Sequence, residues 1–305
     1  MKMKPRTFRS FAKINLGLEV TGKLPGGYHE LKTIFATLSL HDLITLKPRP
    51  RGIVIRSAHP GVPCDETNLC HRAAVRMQSL AGHTRGVEIT IQKRIAIGGG
   101  LGGGSSNAAT VLRALDSMWG LNLGPEGLVD AAKSLGADVP YFLFGGPALG
   151  LGRGDDIHPL DLRLKEKVLL VPGAGGVSTA AVFGQFAARG GGPRRPSRID
   201  AFLRHCERGE SPRVATLRND LGPAAIAVSA PLAATARVLR AAARHHGATL
   251  AAMSGSGSSF FLLFESTSAR ADAARELKAV GIPSRRCAFV SRQAFASGFE
   301  VRRAD

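Results

Sequence analysis

Apolar and polar residues alternate strictly from Ala12 to Val20, with the two-residue period of a β-strand. One face would carry the apolar residues Ala12, Ile14, Leu16, Leu18 and Val20. The opposite face would carry Lys13, Asn15, Gly17 and Glu19. The pattern therefore predicts a half-buried strand with Lys13 and Asn15 on its polar face.

Other segments follow strand or helix periods more loosely. Strands are predicted over residues 38–46, 87–91, 167–171, 248–253 and 259–264, and a turn over 24–27. Helices are predicted over 68–80, 125–135, 231–246 and 269–280. Because helices and strands intermix and the composition changes near residue 160, the sequence predicts two lobes, residues 1–160 and 161–305, of class α+β or α/β.

The segment from Gly98 to Gly104 has six glycines in seven positions and leads directly into a helical pattern. Ser105, Ser106 or Asn107 is predicted to cap that helix. Glycine lets a backbone approach a ligand closely, and a helix N-terminus attracts anions through its free N–H groups and its dipole. The segment therefore predicts a phosphate-binding loop.

Two common nucleotide-binding loops do not match this segment. A P-loop requires Lys followed by Ser or Thr after its last glycine, whereas Gly104 is followed by Ser105 and Ser106. The His-Arg-Asp and Asp-Phe-Gly triplets of protein kinases occur nowhere in the sequence. A flexible Gly/Ser linker is the plain alternative, but a linker has no need to run into a capped amphipathic helix.

The bulk composition is typical of a soluble globular protein. The 305 residues are 44% hydrophobic and 21% charged, and the longest apolar run, at 260–264, is only as long as a strand. The N-terminus has no apolar stretch of the signal-peptide kind, and the four cysteines show no metal-like spacing. We therefore expect a cytoplasmic protein with neither a membrane partner nor a structural metal site.

The net charge is +18, which attracts anions such as nucleic acids, anionic lipids or phosphorylated metabolites. Codon bias explains such an excess of arginine equally well. The basic residues are spread along the chain except between Arg189 and Arg198, a predicted loop that contains no aromatic residue for base stacking. Charge alone therefore gives no reason to expect a nucleic-acid partner.

Three further segments carry candidate chemistry. Asp138 lies in the mostly apolar stretch 136–144, where it either caps a turn or, if partly buried, needs a cation such as Lys13. Tyr28 and His29 could hold a flat heterocycle or simply cover the core. The small-residue loop 254–257 could admit a second phosphate or be only a tight turn.

The order of these segments gives the sequence a family resemblance. It combines Ala-Lys-Ile-Asn-Leu at 12–16, Gly-Tyr-His-Glu-Leu at 27–31, the loop from Gly98 to Asn107, Gly-Ala-Asp-Val-Pro at 136–140, Asn-Asp-Leu at 219–221 and Met-Ser-Gly-Ser-Gly at 253–257. In this order the chain resembles the GHMP kinase superfamily from about residue 13 to 264. The resemblance implies an α+β fold, with an N-terminal ATP-binding lobe built on a ribosomal-protein-like βαβ core and a ferredoxin-like, substrate-binding C-terminal lobe.

The resemblance also implies roles for individual residues. Asp138 would be the general base that deprotonates a substrate hydroxyl, Lys13 would keep it ionised and stabilise the transferring phosphoryl group, and Asn15 would lie nearby. Tyr28 and Phe183 would stack a cytosine while His29 reads its edge, and Thr179 would orient a diphosphate or ribose. ATP, with Mg²⁺ held mainly through its phosphates, would contact Asn68, Lys93, Gly98, Gly99, Gly100, Leu101, Gly102, Gly103, Gly104, Ser105, Ser106 and Asn107.

Two positions depart from the pattern of many members. Ala96 stands where many have Pro, and Asn107 stands where some have Asp. Asn107 therefore lacks a charge near the metal, and no side chain is predicted as a direct metal ligand.

The implied reaction is ATP-dependent phosphorylation of the 2-hydroxyl of a cytidine diphosphate polyol, on the non-mevalonate route to isoprenoid precursors. A mevalonate- or homoserine-type kinase is the nearest alternative, but those substrates carry no base for Tyr28 and Phe183 to stack. A basic nucleic-acid-binding protein is a more distant one. The expected partners are the two small substrates, with the chain a monomer or homodimer.

Overall fold

Two β-sheets form the framework of the molecule. The computed structural model describes residues 4–173, 175–193, 196–211 and 213–301. The first sheet contains β1 (Arg6–Lys23), β2 (His29–Arg49), β3 (Ile53–Arg56), β4 (Gly86–Gln92), β5 (Ala148–Leu151) and β6 (Asp156–Pro159). Its order is β3-β4-β2-β5-β6, and β1 pairs with β2 along nearly its whole length. Among the described strand pairs of this sheet, only β3 and β4 are parallel, and helix α1 (Leu69–Ala81) lies between them in the chain.

Helices α1, α2 (Gly103–Trp119), α3 (Gly124–Lys133) and α4 (Tyr141–Phe144) belong to this first lobe. The helix predicted at 68–80 is α1, and the one predicted at 125–135 is α3. They share one core with the sheet, to which Ile44, Met77, Val87, Leu112 and Phe142 contribute. The core fixes α2, whose N-terminus follows the glycine loop.

The second sheet is antiparallel, in the order β10-β7-β9-β8. It contains β7 (Lys167–Val171), β8 (Leu250–Met253), β9 (Phe260–Phe264) and β10 (Arg285–Cys287). The helices of this half are α5 (Thr179–Ala188), α6 (Arg198–Glu207), α7 (Gly222–Ala227), α8 (Ala230–His245) and α9 (Thr267–Ala279), whereas α10 (Arg292–Ser297) follows β10 and packs against the first lobe. The predicted strands and helices at 167–171, 231–246, 248–253, 259–264 and 269–280 all correspond to elements here.

Strand β1 is buried on both faces, so its prediction as half-buried was wrong. The apolar residues Ala12, Ile14 and Leu16 pack with β7 and β9 of the second sheet. The polar residues Lys13 and Asn15 are also buried. Their polar atoms have partners in neighbouring segments, so they can be buried without an unpaired charge.

The capping prediction for α2 was wrong as well. The helix begins at Gly103, with Gly102 at its N-cap position in the left-handed region at φ 67°, so Ser105 to Asn107 lie inside the helix. A Cβ on Gly102 would meet the ring of Phe142 at 2.6 Å, which leaves room there for glycine alone. Among the described residues no side chain caps this helix.

The domain division at residue 160 falls between β6 and β7 and stays a prediction. The segment near the C-terminus returns to the first sheet. Phe295 packs against Phe11 at 5.4 Å between ring centroids, and the carbonyl of Phe299 accepts a hydrogen bond from the Arg9 amide at 2.8 Å. Residues 292–301 therefore contribute to the first lobe.

Two predicted turn and loop segments have definite places in the structure. In the turn predicted over 24–27, Pro25–Gly27 form a short 3-10 helix, after which β2 begins at His29. In the predicted basic loop, Arg189 follows α5 and Arg198 already begins α6, while Arg194 and Arg195 lie outside the described residues. Across the described ranges, no helix is long and apolar enough to span a membrane.

Candidate active site

Two cavities of about 380 Å³ each meet at the glycine loop. The first is lined by residues 98–105 together with Pro63, Asn68, Lys93, Ile97 and Asn107, among others. The second is lined by Lys13, Asn15, Asp138, Arg153, Thr179, Phe183 and Gly255 to Gly257, among others. Gly98 and Gly100 line both, so a ligand in either cavity would lie against the same loop.

The loop owes its shape to glycines at positions where a side chain would be strained or would meet a neighbouring atom. Gly98 and Gly100 have φ of 69° and 74°. A Cβ on Gly100 would lie 2.3 Å from the carbonyl oxygen of Ser254, and one on Gly99 would lie 2.5 Å from the Ser259 hydroxyl. The predicted small-residue loop 254–257 therefore packs directly against the glycine loop.

Hydrogen bonds fix the contact between these two loops. The Ser254 hydroxyl donates to the carbonyl of Gly100 at 2.8 Å, and the Ser259 amide donates to the carbonyl of Gly99 at 3.1 Å. The glycine loop belongs to the first lobe and the serine loop to the second. The candidate phosphate-binding loop therefore lies at the contact between the two lobes.

The N-terminus of α2 faces the first cavity. Gly103, Gly104 and Ser105 line the cavity and form the first turn of the helix, where backbone N–H groups have no intrahelical acceptor. These groups and the positive end of the helix dipole attract anions. The first cavity therefore has the electrostatics of a phosphate site at this end.

Lys13 and Asp138 come together in the second cavity, as the sequence predicted. The Lys13 ammonium nitrogen lies 3.3 Å from Asp138 Oδ2 and donates to Asn15 Oδ1 at 2.8 Å. The Asn15 amide donates in turn to the Thr33 hydroxyl at 2.8 Å. The Lys13 backbone amide also donates to the carbonyl of Leu101 in the glycine loop at 3.0 Å. The acid–base pair is therefore attached to the loop.

The aromatic residues are arranged differently from the predicted sandwich. Phe183 stacks on the imidazole of His29, with ring centroids 4.5 Å apart and an interplanar angle of 17°. Tyr28 is 58% exposed, and the Arg153 guanidinium lies 5.6 Å from its ring centroid. Phe183 thus faces His29 in the structure, and the stacking of a base between Tyr28 and Phe183 stays a prediction.

Thr179 and Asn68 both line cavities, and their roles in substrate and ATP binding stay predictions. The Thr179 hydroxyl lies 2.9 Å from that of Ser256 in the second cavity. Asn68 caps α1 by accepting a hydrogen bond from the Cys70 amide at 2.9 Å, and its own amide donates to the carbonyl of Pro63. Asn68 therefore shapes the wall of the first cavity.

Ser106 and Asn107 have separate surroundings. Both are buried, and the Ser10 hydroxyl donates to Ser106 at 2.8 Å and to Asn107 Oδ1 at 3.4 Å. Asn107 lines the first cavity, whereas Ser106 is not among its lining residues. The Ser106 side chain is buried and bonded to Ser10, and its role as an ATP contact stays a prediction.

Comparison with known proteins identifies the family. Family models described as GHMP kinases N terminal domain and GHMP kinases C terminal match residues 68–146 and 216–282. The 4-diphosphocytidyl-2-C-methyl-D-erythritol kinase of Chlorobium chlorochromatii (strain CaD3) is 40% identical over 257 residues, which are 84% of this chain and 87% of that one. The enzyme of the same name from Nocardia farcinica (strain IFM 10152) is 38% identical and covers 91% of each chain. The chain belongs to the 4-diphosphocytidyl-2-C-methyl-D-erythritol kinase family.

Solved structures agree with this family and with the fold. A crystal structure of 4-(cytidine 5'-diphospho)-2C-methyl-D-erythritol kinase matches with a TM-score of 0.75 and 36% identity, covering 94% of this chain and 99% of that one. A homoserine kinase from Cytophaga hutchinsonii matches with a TM-score of 0.72 at only 18% identity, covering 96% and 98%. The second likeness concerns the fold alone. The α+β, two-lobed GHMP kinase fold predicted from the sequence is confirmed.

Some residues that line the second cavity were not predicted from the sequence. Thr33, Phe35 and Arg153 line the second cavity but come from segments without a recognisable motif. Thr33 and Phe35 continue β2 after the Gly-Tyr-His-Glu-Leu stretch, so the two-residue period there could have placed them on the same face as Leu31. Arg153 lies in a glycine-rich turn, and nothing in the local pattern distinguishes it from other surface arginines.

Proposed function

We propose that this chain transfers the γ-phosphoryl group of ATP to the 2-hydroxyl of 4-diphosphocytidyl-2-C-methyl-D-erythritol. The observation that carries the proposal is the Lys13–Asp138 pair at the junction of the two cavities, beside a glycine loop that lines both. A nucleotide in the first cavity would extend its phosphates along the loop toward this junction. An alcohol in the second cavity would meet them beside Asp138.

The residues at the junction suit phosphoryl transfer. Asp138 would accept the proton of the attacking hydroxyl as its oxygen bonds to the γ-phosphorus, while the bond from that phosphorus to the β–γ bridging oxygen breaks and ADP leaves. The Lys13 ammonium would offset the negative charge that develops on the transferring group. No covalent enzyme intermediate is needed, since both substrates are held side by side.

Mg²⁺ fits this arrangement as an ion held mainly by ATP. Within the described ranges, Asp138 is the only carboxylate that lines either cavity. Mg²⁺ requires about six oxygen ligands, and a site with one carboxylate leaves most of them to phosphates and water. When bound, the ion would neutralise phosphate charge at the glycine loop.

Recognition of the cytidine end would come from the aromatic residues beside the second cavity. Phe183 lines that cavity, and Tyr28 lies nearby with an exposed ring. Opening the His29–Phe183 stack would free the faces of both rings for a pyrimidine. Thr179 would bind the diphosphate or ribose, and Arg153 adds a second positive charge to the same cavity. A cytoplasmic location, a monomeric or dimeric state and the absence of a nucleic-acid partner remain predictions.

An ADP-release assay with three acceptors tests the proposal. The purified chain is incubated with ATP, Mg²⁺ and either the cytidine diphosphate polyol, mevalonate or homoserine. We expect turnover with the first alone, because the other two carry no base. Turnover of mevalonate or homoserine without turnover of the polyol would instead assign the chain to another GHMP kinase activity.

A further inference from the structure

A buried ion pair lies underneath the glycine loop, away from the catalytic pair. Asp42 of β2 is fully buried, and its Oδ2 lies 2.5 Å from the ammonium nitrogen of Lys93. Its other oxygen, Oδ1, accepts hydrogen bonds from the backbone amides of Arg94 and Ile95 at 2.6 and 2.9 Å. One carboxylate therefore holds three consecutive residues of the segment that leads into the loop.

The partner of Asp42 reaches the nucleotide cavity. Lys93 lines the first cavity, although its side chain is only 6% exposed. Its ammonium nitrogen would lie 2.7 Å from a Cβ on Gly103, and Ile95 would approach that Cβ at 3.1 Å. Lys93 and Ile95 thus pack against the first turn of α2, the turn that offers backbone N–H groups to an anion.

Burial of the Asp42–Lys93 ion pair costs free energy, so packing of this segment alone does not account for it. Two charges taken out of water lose much of their hydration, and well-packed apolar residues commonly replace a buried pair without loss of stability. What an apolar pair could not supply is a fixed positive charge at the floor of the cavity. That charge would be aimed at the phosphates that α2 also attracts.

We propose that Asp42 is a positioning residue for the nucleotide. It holds the Lys93 ammonium against the first turn of α2 and fixes the backbone of Arg94 and Ile95 below the glycine loop. Asp42 itself is fully buried and lines neither cavity, so it acts through Lys93 and the loop. This inference rests on the proposed function, because the anion concerned is the phosphate chain of ATP.

Direct binding of a fluorescent ATP analogue to the full chain tests the inference, with KM for each substrate measured alongside. In Asp42→Asn the carboxylate charge is gone and Lys93 loses its fixed partner. We expect the dissociation constant for the nucleotide to rise about ten- to hundredfold, the effect of losing a charged hydrogen bond. KM for the polyol acceptor should change less than about twofold, since the second cavity is untouched.

A double variant separates positioning from folding. Asp42→Leu combined with Lys93→Met removes both charges and leaves neither one buried and unpaired. We expect the melting temperature to recover relative to Asp42→Asn, while weak nucleotide binding persists. Wild-type affinity in the double variant would overturn the inference, because the pair would then serve stability alone.

Glu88→Gln is the matched control. Glu88 lies on β4 outside both cavities, and its carboxylate pairs with Arg49 of β2 and Arg56 of β3. Its nucleotide affinity should equal that of the wild type. Failure of the wild type to bind the nucleotide would count against the proposed function. Equal binding by the wild type and Asp42→Asn would count against the role of Asp42 only.

Discussion

The Lys13 ammonium nitrogen lies 3.3 Å from Asp138 Oδ2, yet the lysine side chain is 4% exposed and the aspartate side chain 39% exposed. The lysine is anchored within β1 by its hydrogen bond to Asn15, whereas the carboxylate follows α3 and faces the second cavity. The positive charge is therefore fixed by the fold. The carboxylate remains open to an incoming hydroxyl.

Asp138→Asn should lower kcat by about 10²- to 10⁴-fold, the range associated with loss of general acid–base catalysis. The amide cannot take up the hydroxyl proton, but it has almost the same size, so KM for both substrates should change little. Steady-state ADP release measures both constants. Asp156→Asn, an exposed carboxylate that pairs with His158, is the control. A near-normal kcat in Asp138→Asn would rule out its role as the base.

Lys13→Met should also lower kcat strongly, because the developing charge on the phosphoryl group loses its fixed counter-charge. The variant also leaves Asn15 Oδ1 without its donor at 2.8 Å, so a modest loss of stability, about 1–2 kcal/mol, should accompany it. Urea unfolding measures this loss of stability. A variant with wild-type kcat but lower stability would show that Lys13 has only a structural role.

Gly100→Ala should destabilise the protein and weaken nucleotide binding together. Its φ of 74° disfavours a side chain, and the new Cβ would meet the Ser254 carbonyl at 2.3 Å and that of Gly257 at 2.9 Å. The two loops would have to separate. Differential scanning calorimetry should show a lower melting temperature, and nucleotide titration a higher dissociation constant.

Gly184→Ala serves as the control for that variant. Gly184 lies inside α5, and apart from its chain neighbours and the backbone of its own helix no described atom comes within 4 Å of a Cβ placed on it. Alanine there should raise the free energy of unfolding by about 0.5–1 kcal/mol, because glycine is the poorer helix former. A loss of stability as large as that of Gly100→Ala would show that any added methyl group is harmful.

Tyr28→Ala should raise KM for the cytidine substrate far more than it lowers kcat, because a stacking ring contributes ground-state binding. The ring is 58% exposed, so the melting temperature should stay close to that of the wild type. Phe183→Ala should act in the same direction but also cost stability, since Phe183 packs on His29 and against the apolar core to which β7 and β9 of the second sheet contribute. Unchanged KM in both variants would contradict the stacking model.

The cysteines should differ sharply in reactivity toward a thiol reagent at pH 8. Burial raises the pKa of Cys70 to about 12 and that of Cys287 to about 11, whereas Cys64 is exposed. Only the thiolate reacts, so Cys64 should be labelled first and Cys70 only on unfolding. Mass spectrometry of timed samples identifies the sites, and rapid labelling of Cys70 in the native state would contradict its burial.

The raised pKa of Cys70 should also make the protein less stable at high pH. The Cys70 thiol keeps its proton in the folded state up to about pH 12 but loses it near pH 9 when unfolded. Its contribution to the free energy of unfolding is therefore complete below pH 9 and falls as the pH rises from 9 toward 12. A Cys70→Ala variant should show a flatter loss of stability across that range in urea titrations.

The sequence alone predicted those elements whose pattern lies within one continuous segment. The alternation in β1, the helical period of α8 and the glycine run each depend on residues near in sequence, and all three lie where they were predicted. The short strands β3, β5, β6 and β10 were not predicted, because three or four residues rarely show a period. Their place is set by pairing with longer neighbours.

By itself the sequence determined which chemistry the protein carries: a glycine loop before a helix, a lysine on a strand and an aspartate in an apolar stretch. Only the tertiary structure decided that Lys13 is buried within 3.3 Å of Asp138, that Phe183 faces His29, and that Asp42 supports Lys93 under the loop. The physical reason is distance along the chain. These partners are separated by tens to more than a hundred residues. A period-two pattern also cannot reveal that segments from elsewhere in the chain cover the polar face of a strand.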